Sequence, residues 1–235
     1  MPWVGTAVRP RTLDAVRTRV ISAVLATTAL LFLAGCAGGG TDATPSESAS
    51  AVAEGCVYSA GGEAAREVDV PDAAATPTGS VSAVLQTSAG DIPMTLDADR
   101  TPCTVGSFVS LAKQQYFADT QCHRLTTQGL FVLQCGDPTA TGMGGPGYRF
   151  DDELDGSETY PAGTVAMANA GPGTNGSQFF LVYEDTDLQP NYTVFGTMSP
   201  AGLEVVRGIA EAGTTGGTAD GRPATPVTIT GVTVG

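Results

Sequence analysis

The chain has 235 residues, with 11 Lys and Arg against 24 Asp and Glu, a formal net charge of −13 and a single histidine, His123. That acidic surplus excludes nucleic acid as a partner and excludes electrostatic docking on anionic lipid, because both need clustered Lys and Arg. With one histidine and no Cys-x-x-Cys pair, a Cys/His metal centre or a dithiol redox motif has nothing to stand on, so neither metal nor cofactor is expected.

In chain order, Arg9, Arg11, Arg17 and Arg19 form a basic leader ahead of an uncharged, mostly apolar run from Ile21 to Ala34. That run is too short for a comfortable membrane span and ends in small residues, as a cleaved export signal does. Its ending, Leu33-Ala34-Gly35-Cys36, resembles a bacterial lipobox. The resemblance implies that residues 1–35 are a signal peptide and that Cys36 becomes the lipid-bearing first residue. The arginines are never adjacent, which points to the general secretory route. The expected location is therefore extracytoplasmic, with the chain anchored to a bacterial membrane by more than one acyl chain, since one holds only marginally. Removing residues 1–35 takes away four arginines and one aspartate, leaving 7 basic and 23 acidic residues and a formal charge of −16. Residues 36–55 carry no large apolar side chain and read as a flexible tether.

Residues 56–80 read as an extended segment, punctuated by Pro71 and Pro77. From Ser80 onward the pattern is that of a folded domain, 81–235. Val81 to Thr87 alternates as a strand, Ala89-Gly90-Asp91 is a turn, and Ile92 to Leu96 resumes as a second strand. Thr101-Pro102 opens a helix, with Val105, Phe108, Val109 and Leu111 at helical spacing. Cys122 to Gly136 reads as two strands joined at Thr127-Gln128-Gly129, and residues 136–163 as a long Gly/Pro/Asp-rich loop. Val165–Ala168, Gln178–Tyr183 and Tyr192–Met198 are further strands, Leu203–Ala212 a second helix, and Val227–Val234 a closing strand. Many short strands with two helices imply a closed barrel or sandwich with helical caps. The four cysteines after Cys36 allow three pairings. Cys122 and Cys135 flank the predicted hairpin, so a cross-strand bridge fits there and leaves Cys56 to tie the extended segment to Cys103.

The fourteen residues Met167-Ala-Asn-Ala-Gly-Pro-Gly-Thr-Asn-Gly-Ser-Gln-Phe-Phe180 closely resemble the cyclophilin signature. Around them, in the family's order, stand His123-Arg124, Phe131-Val-Leu-Gln134, Gly136-Asp137, Thr141-Gly-Met-Gly-Gly145 and Val194-Phe195-Gly196. The resemblance covers residues 81–235. It implies a mainly β fold, a closed eight-stranded antiparallel barrel capped by two short helices, and a cofactor-free peptidyl-prolyl cis-trans isomerase acting on proline-containing, unfolded or flexible polypeptides as they are exported. By that resemblance Arg124 is the catalytic residue. Phe131, Val132, Phe180 and Leu188 line the proline pocket, and Gln134, Ala168, Asn169 and Gln178 hold the substrate backbone. Tyr192 takes the place of a substrate-facing histidine. The alternative reading is a proline-peptide binding module or chaperone with little turnover; in either case a monomer is expected.

Besides Tyr192 in place of the histidine, three departures from the family pattern stand out. The turn before Phe131 is two residues longer. Asp187 replaces a tryptophan that grips cyclosporin, so weak cyclosporin binding is expected. Val132 stands where methionine is common, which should loosen the pocket. Other signals carry no chemistry: Gly142 to Gly147 fits G-x-G-x-x-G but reads as a loop, Ser177 lies in no nucleophile elbow, and His123 reads as a hydrogen-bonded core histidine. Asp151-Asp152-Glu153 reads as a solvated acidic run.

Overall fold

The computed structural model describes residues 55–235. The expected signal peptide, lipidation at Cys36 and all but the last residue of the tether lie outside that range. Among the described residues no helix is long and apolar enough to cross a membrane.

The predicted first hairpin forms as β2 (Ser80–Thr87) and β3 (Gly90–Asp97), after a two-residue β1 (Ser59–Ala60). Helix α1 (Pro102–Lys113) starts at the proline the sequence marks. Then come β4 (Thr120–Gln121), β5 (Arg124–Thr126), β6 (Val132–Cys135), β7 (Tyr148–Arg149), β8 (Thr164–Met167), β9 (Phe179–Val182) and β10 (Val194–Met198). Helix α2 spans Pro200–Glu211, three residues earlier than the apolar pattern suggests, because Ser199 accepts the Gly202 N–H as N-cap and Pro200 supplies the first turn. Strands β11 (Asp220–Gly221) and β12 (Thr228–Val234) close the chain.

Ten strands form one antiparallel sheet in the order β11–β5–β6–β9–β8–β10–β3–β2–β12–β4, and β1 pairs separately with β7. The fold is thus mainly β with two helices, and the ladders count ten strands rather than eight. The order ends on β4 and β11, yet residues 120–126 border both ends. Cys122 N–H donates to Val227 O and, one residue on, His123 N–H donates to Gln134 O, each at 3.0 Å.

The central strands are buried on both faces. On β6, β8 and β9, Leu133, Cys135, Val165, Met167, Phe179 and Leu181 face the main core, where α1 and α2 also pack. Their neighbours Val132, Ala166, Phe180 and Val182 form a second apolar cluster on the opposite face. A strand buried on both sides reads as an unbroken apolar run, which is why Phe179 to Val182 shows no alternation.

The extended segment 56–80 lies on the domain under several ties. Cys56 is bonded to Cys103 and Cys122 to Cys135, the pairing expected from the sequence. Gly61 and Ala65 N–H donate to Gly147 O and Gly145 O, and the Arg66 guanidinium donates to the carbonyls of Gln115, Tyr116 and Ala118 beyond α1. The acidic run is not simply solvated. Glu153 caps α1, accepting the N–H groups of Cys103 (2.9 Å) and Thr104 (2.8 Å), where an anion favours the positive end of the helix. Asp152 accepts from Asn169, Asn175 and the Gly173 N–H.

Candidate active site

On the outer face of the sheet, Arg124, Leu130, Val132, Gln134, Ala168, Asn169, Phe180, Leu188 and Tyr192 surround a cavity of about 210 Å³. Eight of the ten residues the sequence assigns to catalysis or substrate holding meet there. Phe131 and Gln178 do not. Phe131 packs toward the main core, its ring edge-on to Tyr183 with centroids 5.9 Å apart. Strand alternation is the reason: Val132 and Gln134 face the cavity, so the residue on the same face is Leu130. The longer turn, with Gly129 at φ +71°, brings Leu130 into the place expected for Phe131. Asp187 is exposed and does not line the cavity.

Tyr160 is a second residue that no local signal in the chain identifies. Its hydroxyl donates to Tyr192 O and accepts the Tyr192 N–H, both at 3.0 Å, which pins the loop carrying Leu188 and Tyr192. Phe180 and Tyr192 meet edge-on, centroids 5.5 Å apart, giving the cavity one stiff aromatic wall.

The polar wall is held by a chain of amides. Arg124 and Gln134 face each other across β5 and β6, with Arg124 Nη1 3.4 Å from Gln134 Oε1. Gln134 Nε2 donates to Gln178 Oε1 at 2.9 Å. Gln178 Nε2 in turn donates to the carbonyls of Gly142 (3.0 Å) and Gly144 (2.9 Å). Gln178 therefore braces Gln134 from behind, and it lines a neighbouring cavity of about 360 Å³ that Gln134, Ala168 and Asn169 share. Asn169 Nδ2 donates to Asn191 O (2.8 Å) and to Asp152 Oδ1 (3.2 Å).

Those glycine carbonyls are placed by Asp137, which has no solvent exposure. Its Oδ1 accepts the N–H and hydroxyl of Thr139, and its Oδ2 accepts the N–H groups of Thr141 (3.0 Å), Gly142 (2.7 Å) and Gly144 (3.1 Å). A Cβ on residue 144 would stand 2.0 Å from Asp137 Oδ1, so only glycine fits. Burial alone would raise the Asp137 pKa, but the bonds from Thr139, Gly144 and Gly142 outweigh it and hold it at about 2.

His123 is buried under this loop, but it is not the hydrogen-bonded core histidine expected. Neither ring nitrogen has a hydrogen-bond partner among the described residues. Burial lowers its pKa, more than Asp137 raises it, which keeps the ring neutral. Arg124 pairs with Asp220, Nε to Oδ1 at 2.9 Å and Nη2 to Oδ2 at 2.7 Å. That carboxylate raises the Arg124 pKa, and Arg124 lowers that of Asp220.

Residues 82–234 match the family model "Cyclophilin type peptidyl-prolyl cis-trans isomerase/CLD". The chain belongs to the cyclophilin family. It is 50% identical over 185 residues to the Mycobacterium tuberculosis protein described as "Probable peptidyl-prolyl cis-trans isomerase B", covering 72% of this chain and 60% of that one. A Mycobacterium leprae protein of the same description is 50% identical over 182 residues, 71% of this chain and 62% of its own. The chain thus spans about 60% of the length of these relatives. The shorter "Peptidyl-prolyl cis-trans isomerase A" of M. tuberculosis is 39% identical over 179 residues, covering 68% of this chain and 94% of that one. The crystal structure of a Cryptosporidium parvum cyclophilin type isomerase superposes with a TM-score of 0.60 at 29% identity, over 66% of this chain and 98% of its own. A second structure of it, determined in the presence of the dipeptide Ala-Pro, gives 0.59.

Because the Asp137 pKa lies below the unfolded value of about 3.9, its contribution is full above that value and is lost as the pH falls toward 2. Denaturant melts between about pH 5 and pH 2 should lose on the order of 2 kcal/mol to this group, and Asp137→Asn should show an acid loss shallower by that amount. The protection factors of the Gly142 and Gly144 amides should fall over the same window; equal acid sensitivity in the variant would refute the assignment.

Proposed function

We propose that this cyclophilin-family chain is a peptidyl-prolyl cis-trans isomerase. The observation that carries the reading is a guanidinium beside a cavity of about 210 Å³ whose one wall is apolar, Leu130, Val132, Phe180 and Leu188, with amide donors and acceptors along the other side. Rotation about a peptide bond meets a barrier of ~18–20 kcal/mol because the nitrogen lone pair is delocalised into the carbonyl. No nucleophile, metal or general base is needed to lower it. Leu130, Val132, Phe180, Leu188 and Tyr192 grip the ring, while Gln134 and Asn169 hold the flanking backbone. Arg124 donates to the prolyl nitrogen as it pyramidalises, withdrawing its lone pair from resonance, an interaction absent from the ground state. A guanidinium suits the role because it stays charged at every working pH. The Ala-Pro dipeptide named with the C. parvum relative belongs to the same substrate class.

The site further reads as serving exported proteins, on a chain held at the outer membrane face by lipid on Cys36. The lipobox-like Leu33 to Cys36 and the Gly/Ser/Thr-rich tether support that placement. Closure of the sheet into a barrel is supported by the 120–126 segment, which pairs with β12 through β4 and with β11 and β6 through β5. One observation favours the alternative of a binding module with little turnover: Arg124 already gives two of its donors to Asp220.

An NMR exchange or protease-coupled assay on Xaa-Pro peptides separates these readings. Arg124→Ala should lower kcat/KM by about a hundredfold while the melting temperature holds. Binding of proline peptides by wild type without any acceleration would instead establish the binding module. Cyclosporin should bind weakly, since Asp187 offers a carboxylate outside the cavity; nanomolar affinity by calorimetry would contradict this. Cys36→Ser should move the protein from the membrane pellet to the soluble fraction, and its retention in the pellet would rule the lipid anchor out.

A further inference from the structure

We propose that Asp220 is a positioning residue that sets the plane of the Arg124 guanidinium and aims its Nη1 edge into the proline cavity. The inference rests on the isomerase reading above. Arg124 presents two edges. The Nε/Nη2 edge is taken by both carboxylate oxygens of Asp220, at 2.9 and 2.7 Å. Such a two-point pair fixes the orientation of a planar group, which a single bond does not. Three N–H donors remain, one on Nη2 and two on Nη1, and Nη1 lies on the Gln134 side, 3.4 Å from Oε1, beside the cavity. Asp220 itself does not line the cavity, so it acts through the arginine.

The carboxylate is not needed to hold its own strand. Asp220 and Gly221 pair by backbone with Thr126 and Leu125. Thr127 N–H donates to Ala219 O at 2.8 Å, and the Thr218 hydroxyl donates to Asp220 O at 2.9 Å. The side-chain pair is also partly open to solvent, Arg124 at 38% and Asp220 at 55%, where an ion pair adds little to stability. Its effect falls on the arginine, whose long flexible stem otherwise samples many rotamers. Asp220 also neutralises part of the charge used in catalysis, so the two effects of the carboxylate oppose each other. If orientation governs, removing the carboxylate slows turnover; if neutralisation governs, removing it speeds turnover.

The test compares wild type, Asp220→Ala, Asp220→Asn and Asp220→Glu in the full chain, reading isomerisation of an Xaa-Pro peptide, its Kd by NMR titration, and the Arg124 Nε–H signal. Asp220→Ala should lose about tenfold in kcat while Kd moves by less than about twofold. The Arg124 Nε–H resonance should broaden into exchange with water. Asp220→Asn, with one acceptor oxygen, should fall between, and Asp220→Glu should recover most of the rate. Should Asp220→Ala misfold, Asp220→Asn carries the same comparison. Unchanged or raised kcat in both variants, with the Nε–H signal intact, overturns the positioning role and leaves the isomerase reading standing. Absence of turnover in wild type overturns both.

Discussion

A carboxylate with no solvent exposure, Asp137, organises the loop between β6 and β7, which has no ladder of its own. By accepting N–H groups from Thr139, Thr141, Gly142 and Gly144 it turns the loop carbonyls of Gly142 and Gly144 toward Gln178. Gln178 then braces Gln134, and Gln134 faces Arg124. Each glutamine amide donates back toward the loop and accepts from the Arg124 side, so the order of one buried anion is passed to a solvent-facing cation without any charge being transferred. The glycines of this loop serve backbone approach. At Gly136, where φ is +92°, a side chain would stand 2.2 Å from Ser177 O.

The second constraint is the double burial of the central strands. The inner residues of β6, β8 and β9 join the main core, and the outer residues build the cavity floor from Val132, Phe180 and their neighbours. Binding surface and core are then two faces of the same rigid strands. The cavity is held as firmly as the sheet, in contrast to a site carried on loops. Tyr160 extends this rigidity to the loop that carries Leu188 and Tyr192, through its two bonds to the Tyr192 backbone.

Most elements were legible in the chain because each carried a local signal. The Thr101-Pro102 helix start, the Ala89-Gly90-Asp91 turn and the alternating run of β2 are such signals, and the fourteen-residue stretch 167–180 brought most of the site with it. The same kind of signal was present at Ser199-Pro200 but was masked by the apolar spacing that starts at Leu203. The two-residue strands β1, β4, β7 and β11 had none, because so short a run has no period to read.

What remained unreadable was pairing at a distance. The resemblance to the family signature singles out Arg124, Gln134 and Phe180, because each is matched by its own residue type and its place in the motif. Whether Leu130 or Phe131 enters the cavity depends on the register of β6 against β9 and on the length of a turn, and one residue of slip reverses the answer. Asp220 lies 96 positions from Arg124, Asp152 lies 17 from Asn169, and Glu153 lies about fifty from the helix it caps. Nothing in their local sequence distinguishes these carboxylates from solvated ones, because a carboxylate takes its role from the donors that folding brings to it. Side-chain chemistry and short-range pattern were written in the chain, and the partners of each charge were decided by the tertiary fold that brings distant segments together.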